Sequence, residues 1–301
     1  DIFVAIRGDR HDGHDFAVKA LKAGAGLAVV FRPTDEMRAA GPLLVVAEDP
    51  LRGLENMGRA SRARSDAQVI GVTGSVGKTS TKEMLRVALS ASGLTHASAA
   101  SFNNHWGVPL TLARMPREAA FGVFEIGMNH AGEIMPLAGM VRPHVAIVTT
   151  IAASHLGHFA SLDEIADAKA EIFGGIVAGG HAVISRDTPY FERLAKAARA
   201  AGVANIVSFG ISEEADVRIE RIEDNSQYQF ISKSARNATA TWGVRRSPWT
   251  RPRAAGSRSC RRAGRPRRPR SGGCGRSAAP GSGSRRWCRP CRPARRRGPG
   301  S

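Results

Sequence analysis

A glycine-rich turn between a strand pattern and a helix pattern is the feature that most constrains this fold. The stretch VIGVTGSVGKTSTKEML opens with an apolar run at residues 69–73, and a helical pattern begins at Lys78. Gly74 and Gly77 let backbone N–H groups turn inward around a phosphate, and the N-terminus of the following helix adds its positive end. This combination predicts a strand–turn–helix unit that binds a nucleotide.

The side chains of this turn predict how ATP would be held. Lys78 can reach the β- and γ-phosphates, and the hydroxyl of Thr79 can bind Mg²⁺. The long pattern G-x-x-x-x-G-K-[ST] is not met, because Val72 occupies its first glycine position, but the shorter G-x-x-G-K-T fits. A chance Gly-Lys-Thr turn is the alternative, and the flanking strand and helix argue against it. The predicted ATP-binding residues are Gly74, Ser75, Val76, Gly77, Lys78, Thr79 and Ser80.

The order of strand and helix patterns predicts an α/β fold. Residues 1–64 predict a small α/β unit, and a polar stretch at 59–68 suits a linker into a second unit. Strands that alternate with helices favour a parallel sheet with helices on both faces, and ligands of such sheets lie beyond the carboxyl ends of the strands. The predicted strands are 2–6, 27–31, 43–47, 69–73, 122–126, 145–150, 182–185 and 206–209, and the predicted helices are 16–23, 50–64, 78–92, 161–178 and 189–201.

The positive charge of the chain is concentrated in its C-terminal segment. The formal net charge is +18, but 20 of the 44 basic residues are arginines within residues 234–301, where no acidic residue occurs. Residues 1–233 therefore hold 24 basic and 26 acidic residues, a net charge of −2. A body this close to neutral gives no electrostatic reason to bind DNA or RNA.

The same C-terminal segment predicts no packed core. Residues 245–301 contain no Leu, Ile, Val, Phe, Met or Tyr, so too little apolar surface is available to offset the entropy of ordering. Three interpretations of this segment stay open: a disordered basic tail, a tail that binds nucleic acid non-specifically, and a GC-rich gene translated out of frame. The abrupt change of composition, within a domain and without a linker, favours the last. All four cysteines lie here: Cys260, Cys274, Cys288 and Cys291.

The remaining sequence-wide features favour a cytoplasmic enzyme, for which we expect a monomer. Residues 1–233 contain no cysteine, so neither a disulfide framework nor a cysteine zinc site is indicated for them. No stretch has the roughly 18 consecutive apolar residues of a membrane span, and the N-terminus carries no basic-then-apolar signal. The chain opens on the strand-like run DIFVAI without an initiator Met, so we expect it to start inside a longer protein.

Four residues outside the turn are candidates for functional chemistry. Glu125 ends a predicted strand on the side where the nucleotide should lie, which suits Mg²⁺ binding or the polarisation of water; a solvated loop carboxylate is the alternative. His155 and His158 follow the next strand, although a lone loop histidine is more often structural. Lys169 falls on the apolar stripe of the helix that starts at Ser161. For Lys169 the residues alone favour a snorkelling side chain whose head reaches water.

Five ordered motifs together resemble a known family. They read GVTGSVGKTSTKEM, SFNNHWGVPLTL, FEIGMNHAGEI, HLGHFAS and DAKAEIF. This set is similar to the Mur ligases, the ATP-dependent amide-bond-forming enzymes of peptidoglycan synthesis, and FVAIRGDRHDGHDFAVKALKAGA resembles their UDP-sugar-binding N-terminal domain. The resemblance covers residues 1 to about 230. It implies a partial UDP-substrate-binding domain at 1–64, an incomplete ATP-binding central domain at 65–233, and a tail outside the family pattern at 234–301.

The resemblance also implies a reaction with defined participants. D-alanyl-D-alanine would be added to UDP-N-acetylmuramoyl-tripeptide through an acyl phosphate, with ATP and two Mg²⁺ ions as cofactors. Lys169 would be carbamylated by CO₂ and become an anionic metal ligand, and burial shifts a lysine pKa in the direction that this modification needs. The implied catalytic residues are Lys78, Glu125, His155 and Lys169; the metal ligands are Thr79, Glu125, His155 and Lys169; the substrate residues are Asn103, Asn104 and Asn129 in the cleft and Asp12, Gly13 and His14 near the UDP.

The chain also departs from the family pattern. In the family, the catalytic sheet continues past residue 230 and a Rossmann-like third domain follows, and this sequence resembles neither; the start of the N-terminal domain is missing as well. We therefore expect an incomplete ligase with little or no ligation. Two alternatives stay open: another Mur or folylpolyglutamate-type ligase, against which the FNN and GMNH motifs argue, and a P-loop ATP-binding protein with a basic nucleic-acid-binding tail.

Overall fold

The computed structural model describes residues 1–8, 10–153, 157–223, 227–232 and 239–243, which build a three-stranded and a nine-stranded sheet with flanking helices. The strands are β1 (Ile2–Val4), β2 (Leu27–Val30), β3 (Leu43–Val45), β4 (Gln68–Thr73), β5 (Thr95–Ala97), β6 (Phe121–Glu125), β7 (Val145–Val148), β8 (His181–Ser185), β9 (Asn205–Gly210), β10 (Val217–Glu223), β11 (Gln227–Ser232) and β12 (Thr239–Gly243). The helices are α1 (Ala17–Lys22), α2 (Asp35–Ala40), α3 (Pro50–Ala63), α4 (Lys78–Ser90), α5 (Gly107–Ala113), α6 (Ile134–Val141), α7 (Leu162–Ala170) and α8 (Phe191–Ala200), and Gly13–Phe16 and Glu171–Gly175 are 3₁₀ turns.

The small sheet is parallel, in the order β1–β2–β3. Its strands and α1 confirm the predicted small α/β unit at the N-terminus. Helix α2 was not predicted; it is only six residues long, and the Thr34 hydroxyl caps it by accepting from Met37 N at 3.2 Å. The core of this unit consists of Ala5, Ala17, Leu21, Ala28, Val30 and Met37.

The large sheet has the order β12–β11–β10–β9–β8–β7–β4–β6–β5. The predicted parallel sheet is confirmed from β5 through β10. Strands β11 and β12 lie beyond the predicted strands and pair antiparallel, because the link from Glu223 to Gln227 is too short for the crossover that parallel strands need. Strand β12 carries the sheet past residue 233; the rest of residues 234–301, including the four cysteines, lies outside the described residues.

The two faces of the large sheet are covered differently. Helices α5 to α8 bury one face, in a cluster that includes Val69, Phe124 and Ile184. On the opposite face Val72 and Val123 pack against α4. The sheet thus places α4, which follows the glycine turn, apart from the other helices. Among the described residues, every helix is too short or too polar to cross a bilayer.

Several predicted element boundaries shift in the structure. The Ser161 hydroxyl caps α7 by accepting from Glu164 N at 3.2 Å, as its spacing predicts. The helix gives way to a 3₁₀ turn that ends at Gly175, earlier than the predicted stop at residues 179–180, and α8 begins at Phe191 rather than at residue 189. Helices α5 and α6 were missed, because a proline in the first turn of each is compatible with helix but masks the pattern.

Arg62, near the end of α3, joins this helix to α6. Its side chain is buried, and the guanidinium donates to the carbonyls of Val141 at 2.8 Å, Arg142 at 2.9 Å and Ser65 at 3.3 Å. Burial, followed by the charge of Arg142, lowers the Arg62 pKa. The carbonyls at the end of α6 therefore depend on a side chain from another helix for their partners.

We expect Arg62→Met to lower the free energy of unfolding by roughly 3 kcal/mol, because charged hydrogen bonds to buried carbonyls are lost. Urea unfolding followed by circular dichroism measures this change. Arg64→Met, two residues away on an exposed side chain, is the matched control and should have little effect. Equal losses in the two variants would show that the α3–α6 link contributes nothing.

The stability of the fold should depend on the neutral form of His144. Its Nδ1 accepts from Val69 N at 2.9 Å, so protonation would remove this acceptor. Burial, with the charges of Arg62 and Arg142, lowers the His144 pKa from 6.5. Stability is then fully present above about pH 6.5, and it falls below that pH because the unfolded chain binds the proton more readily.

We therefore expect the urea midpoint to drop between about pH 7.5 and about pH 5.5. His144→Asn keeps an oxygen acceptor for Val69 N but cannot titrate, so it should flatten this dependence. Burial also lowers the His96 pKa, so a residual slope in the Asn variant is expected. An unchanged slope would contradict the role of His144.

Candidate active site

The turn between β4 and α4 has the backbone of a phosphate-binding loop. β4 ends at Thr73, and α4 begins at Lys78 after Gly77, whose φ is 86°. Gly74 has a φ of 146°, and a Cβ at this position would overlap the hydroxyl of Thr149. A residue with a side chain meets strain at both glycines and a collision at one of them. The geometry therefore requires the glycine spacing seen in the sequence.

The segment that follows β7 braces this turn. Thr149 Oγ1 donates to the carbonyl of Val76 at 2.7 Å, and Ser75 N donates to the carbonyl of Thr150 at 2.7 Å. Ser75 Oγ donates to the Ala152 carbonyl at 2.9 Å and accepts from Ala152 N at 3.0 Å. The turn is thus held in place by the protein itself, which lowers the ordering cost of ligand binding.

Lys78, Thr79 and Glu125 meet at this turn. Lys78 Nζ donates to the Gly74 carbonyl at 2.7 Å, and burial lowers the Lys78 pKa while the charge of Glu125 opposes that shift. Thr79 Oγ1 donates to Glu125 Oε2 at 2.9 Å. An ammonium, a hydroxyl and a carboxylate are therefore gathered beside the N-terminus of α4.

Glu125 is a buried carboxylate, only 1% exposed, so the alternative of a solvated loop residue is wrong. Asn103 Nδ2 donates to Glu125 Oε1 at 2.8 Å, and Glu125 N donates to Ser98 Oγ at 3.2 Å. Gly127 N donates to the Asn103 carbonyl at 2.8 Å, and a Cβ on Gly127 would come within 2.8 Å of the Asn103 side chain. The second carboxylate oxygen is thus left oriented toward Thr79.

Lys169 is 2% exposed, so the snorkelling interpretation is wrong. Burial, followed by the charge of Lys78, lowers the Lys169 pKa to about 8. Among the described residues no acidic side chain pairs with its ammonium. A lysine in these surroundings has a neutral amine available near neutral pH, which is the form that reacts with CO₂.

Glu171 connects the end of α7 to the start of α6. Its carboxylate accepts from Gly132 N at 2.6 Å, Met135 N at 3.0 Å and Ile134 N at 3.1 Å. A carboxylate on the first amides of a helix satisfies their hydrogen bonds and the positive end of the helix. The GMNHAGEI loop is thereby fixed next to Lys169. Glu171 was not predicted as a site residue, because the two segments that it connects are far apart in the chain.

Asn104 and Asn129 also make local contacts. Asn104 Oδ1 accepts from Gly107 N at 2.9 Å at the start of α5, and Asn129 N donates to Glu133 at 2.7 Å. Both asparagines, with Asn103, line the cavity beside the turn. The three asparagines predicted to line the cleft are thus brought together there, and their contacts with substrate stay a prediction.

This cavity, of about 700 Å³, lies between the turn and helix α3. Its charged walls are Lys78, Lys169 and Glu133 on one side and Arg52, Glu55 and Arg59 on α3. The three α3 residues have helical spacing and face one way, but the sequence could not show that this face lies opposite the turn. Arg59 binds Glu55 at 3.3 Å, so the walls keep an excess of positive charge suited to anionic ligands.

The turn at Asp12, Gly13 and His14 holds the small sheet together. His14 Nδ1 lies 2.6 Å from Asp12 Oδ1, and His14 Nε2 accepts from Phe31 N at 2.9 Å. A Cβ on Gly13 would lie 2.6 Å from the backbone of Ala5. Hydrogen bonds to His14 lower the Asp12 pKa. Asp12 and His14 line a second cavity of about 690 Å³. Their contact with the UDP group stays a prediction.

The predicted histidine pair is described only in part. His155 lies outside the described residues. His158 packs against His130 with ring centroids 4.3 Å apart, and His130 Nδ1 lies 3.0 Å from Glu133. This contact joins the loop after β7 to the GMNHAGEI loop at an exposed point.

The oxygen donors at the turn fit a magnesium ion that also binds phosphate. Thr79 Oγ1 and Glu125 Oε2 are 2.9 Å apart, and Mg²⁺ prefers such hard donors, usually one or two from protein, with water and phosphate oxygens completing the shell. The described residues contain no group of three or more His, Cys, Asp or Glu able to hold a metal by themselves. The Thr79 hydroxyl and the Glu125 carboxylate are donors of the kind that suit an ion whose other ligands come from phosphate and water.

In this site a parallel strand runs through a braced glycine turn into a helix, and Lys78, Thr79 and buried Glu125 lie beside the turn. This arrangement defines a P-loop nucleotide-binding protein. The model of the Mur ligase middle domain matches residues 72–244. This match covers more than half of the chain, and the chain belongs to the Mur ligase family.

Individual relatives agree with this family. The chain is similar to UDP-N-acetylmuramoyl-tripeptide–D-alanyl-D-alanine ligase of Rickettsia prowazekii, with 36% identity over 219 residues, which are 73% of this chain and 48% of the relative. For the ligase of the same name from Escherichia coli, identity is 42% over 186 residues, 62% of this chain and 40% of the relative. The chain thus spans less than half the length of these two curated relatives.

Solved structures show the same likeness. A crystal structure of MurF from Acinetobacter baumannii matches with a TM-score of 0.71 and 35% identity, over 80% of this chain and 51% of that one. MurF from Thermotoga maritima in complex with ADP matches with a TM-score of 0.67 and 28% identity, over 81% of this chain and 55% of that one. The fold at the turn is therefore shared with an ADP-bound relative.

Proposed function

We propose that this chain carries the ATP-binding part of a ligase that joins D-alanyl-D-alanine to UDP-N-acetylmuramoyl-tripeptide. The names of its relatives from Rickettsia prowazekii and Escherichia coli support this substrate pair. The observation that carries the proposal is the contact of 2.9 Å between Thr79 Oγ1 and buried Glu125 Oε2, beside a braced glycine turn. Such a hydroxyl–carboxylate pair offers hard oxygen donors for the magnesium ion of a nucleotide.

In this proposal the turn binds the phosphates. Backbone N–H groups of residues 74–80, at the positive end of α4, receive phosphate oxygens, and the Lys78 ammonium neutralises charge on the transferred phosphoryl group. Thr79 and Glu125 would hold one Mg²⁺, and Lys169 with His155 a second; the role of His155 rests on the family resemblance. When bound, Mg²⁺ offsets the repulsion between the two anionic reactants.

We further propose that Lys169 reacts with CO₂. Its neutral amine forms a bond to the carbon of CO₂ and releases a proton, so an ammonium is replaced by a carbamate with two oxygen donors. The burial of Lys169, its pKa of about 8 and the nearby charge of Lys78 support this step. An anion at this position attracts Lys78, whereas an ammonium repels it.

The reaction would then proceed in two steps. The tripeptide carboxylate attacks the γ-phosphorus while Lys78 steadies the phosphoryl oxygens, which yields an acyl phosphate and ADP. The amine of D-alanyl-D-alanine adds to the acyl carbon, and phosphate leaves from the tetrahedral intermediate. Asn103, Asn104 and Asn129 would contact the reactants from the cavity wall.

The proposed division of labour follows the two sheets. Residues 1–64 would bind the UDP end of the substrate, with Asp12, Gly13 and His14 near it, and residues 65–233 would bind ATP. One charged cavity lies within residues 1–64, at Asp12 and His14, and a second lies beside the glycine turn, where α3 supplies one wall. Residues 234–301, which were predicted to form a tail outside the family pattern, lie outside the described residues except for strand β12.

A trapping experiment tests this function. The 301-residue chain is incubated with ATP, Mg²⁺ and UDP-N-acetylmuramoyl-tripeptide, and hydroxylamine converts any acyl phosphate to a hydroxamate detected by mass spectrometry. We expect hydroxamate and ADP to form only when the tripeptide is present. ADP release that is independent of the tripeptide, without hydroxamate, would instead indicate a simple ATPase.

A further inference from the structure

Lys82, on the second turn of α4, is a buried cation that the proposed reaction does not use. Its side chain is fully buried, and its Nζ donates to the carbonyls of Ser98 and Ala100, both at 2.8 Å. Its third partner is the carboxylate of Glu83, at 3.0 Å. An ammonium is costly to bury unless all its N–H groups are paired, and Lys82 meets this condition.

The loop held by Lys82 has an unfavourable backbone conformation. Ala100 has a φ of 47°, in the left-handed region that non-glycine residues avoid. The hydrogen bond from Lys82 ends on the carbonyl of this same residue. Without the ammonium, the carbonyls of Ser98 and Ala100 would lose this partner, and the strained backbone at Ala100 would be free to relax.

The same loop supplies two contacts to Glu125. Ser98 Oγ accepts from Glu125 N at 3.2 Å, and Asn103 Nδ2 donates to Glu125 Oε1 at 2.8 Å. The third contact comes from Thr79, which lies three residues before Lys82 on α4. One helix therefore carries the hydroxyl that meets Glu125 and the ammonium that anchors the loop orienting Glu125.

We infer that Lys82 is a positioning residue for the Thr79–Glu125 pair. It ties the 98–104 loop to α4, so the carboxylate stays at a fixed distance from the hydroxyl whether or not an ion is bound. This inference rests on the proposed function in one respect, that Thr79 and Glu125 hold the magnesium of ATP. Its effect is on metal affinity rather than on contact with the nucleotide.

The test is a magnesium titration of the full 301-residue chain with a fluorescent ATP analogue at constant concentration. Residues that orient metal ligands typically change metal affinity roughly 10- to 100-fold, and we expect Lys82→Met to raise the half-saturating Mg²⁺ concentration by such a factor. Binding of the analogue without Mg²⁺ should stay the same. Glu83→Gln, which removes the partner outside the loop, is the matched control and should keep the wild-type midpoint.

Each outcome decides the matter. A folded Lys82→Met protein, as judged by circular dichroism, with the wild-type midpoint would overturn the inference. If Lys82→Met does not fold, Lys82→Gln, which keeps an N–H donor but cannot reach both carbonyls at once, takes its place: a raised midpoint supports the inference, and an unchanged one overturns it. A wild-type chain whose nucleotide binding does not depend on Mg²⁺ would remove the proposed function, and the inference with it.

Discussion

Substitution of Gly74 by alanine should weaken ATP binding by this chain about 100-fold. The new Cβ would overlap the Thr149 hydroxyl and sit on a residue whose φ is 146°, so the turn must shift and lose one or two hydrogen bonds to the phosphates. Such bonds to charged groups contribute about 3 kcal/mol together, and the dissociation constant should therefore rise roughly 100-fold. Fluorescence titration with an ATP analogue measures this change.

Gly139→Ala is the control for the loss at Gly74. Gly139 lies within α6, and a Cβ there meets nothing within 4 Å, so this variant should bind the analogue like the wild type. Wild-type affinity in Gly74→Ala would show that phosphates are bound elsewhere. A comparison of circular dichroism spectra separates loss of binding from loss of folding.

Substitution of Lys169 by alanine should remove a carbamate signal completely. With ¹³C-labelled bicarbonate, the wild-type chain should show a carbamate carbon in its NMR spectrum, because the Lys169 amine is buried with a pKa of about 8. Its intensity should rise as the pH is raised through about 8, since more of the amine becomes neutral. Lysine side chains in water have higher pKa values and compete poorly for CO₂ at this pH.

Lys196→Ala, at an exposed lysine of α8, is the matched control and should keep the full signal. A signal that persists in Lys169→Ala would place the carbamate on another amine. A wild-type chain without any signal would mean that Lys169 acts as an ammonium, and the second metal site would then lack its anionic ligand.

The parts of the site whose position in the fold followed from the sequence are mostly local. Gly74, Gly77 and Lys78 lie within five residues, so their spacing alone defines the turn. The placement of Glu125 at a strand end followed from the rule that parallel strands present ligands at their carboxyl ends. For Lys169 the helical stripe predicted that the stem of the side chain packs against the core. The ammonium is buried too, and this depends on neighbouring segments that the stripe does not reveal.

The parts that were missed depend on contacts between distant segments. Lys82 binds a loop 16 to 18 residues away, and Asn103 reaches Glu125 across 22 residues. That α3 forms a wall of the cavity could be predicted only from how the small sheet and its helices pack near the turn. The antiparallel strands β11 and β12 were missed because no strand was predicted after residue 209, and β12 lies in the segment predicted to have no packed core.

The central claim is that residues 74–80 bind the triphosphate of ATP with the help of Thr79 and Glu125. Hydrogen–deuterium exchange of the 301-residue chain, with and without ATP and Mg²⁺, tests it at the peptide level. We predict slower exchange in peptides that cover residues 74–80 and the Glu125 region, and no such change in Gly74→Ala. Unchanged exchange at the turn, with protection appearing in another part of the chain, would contradict the claim.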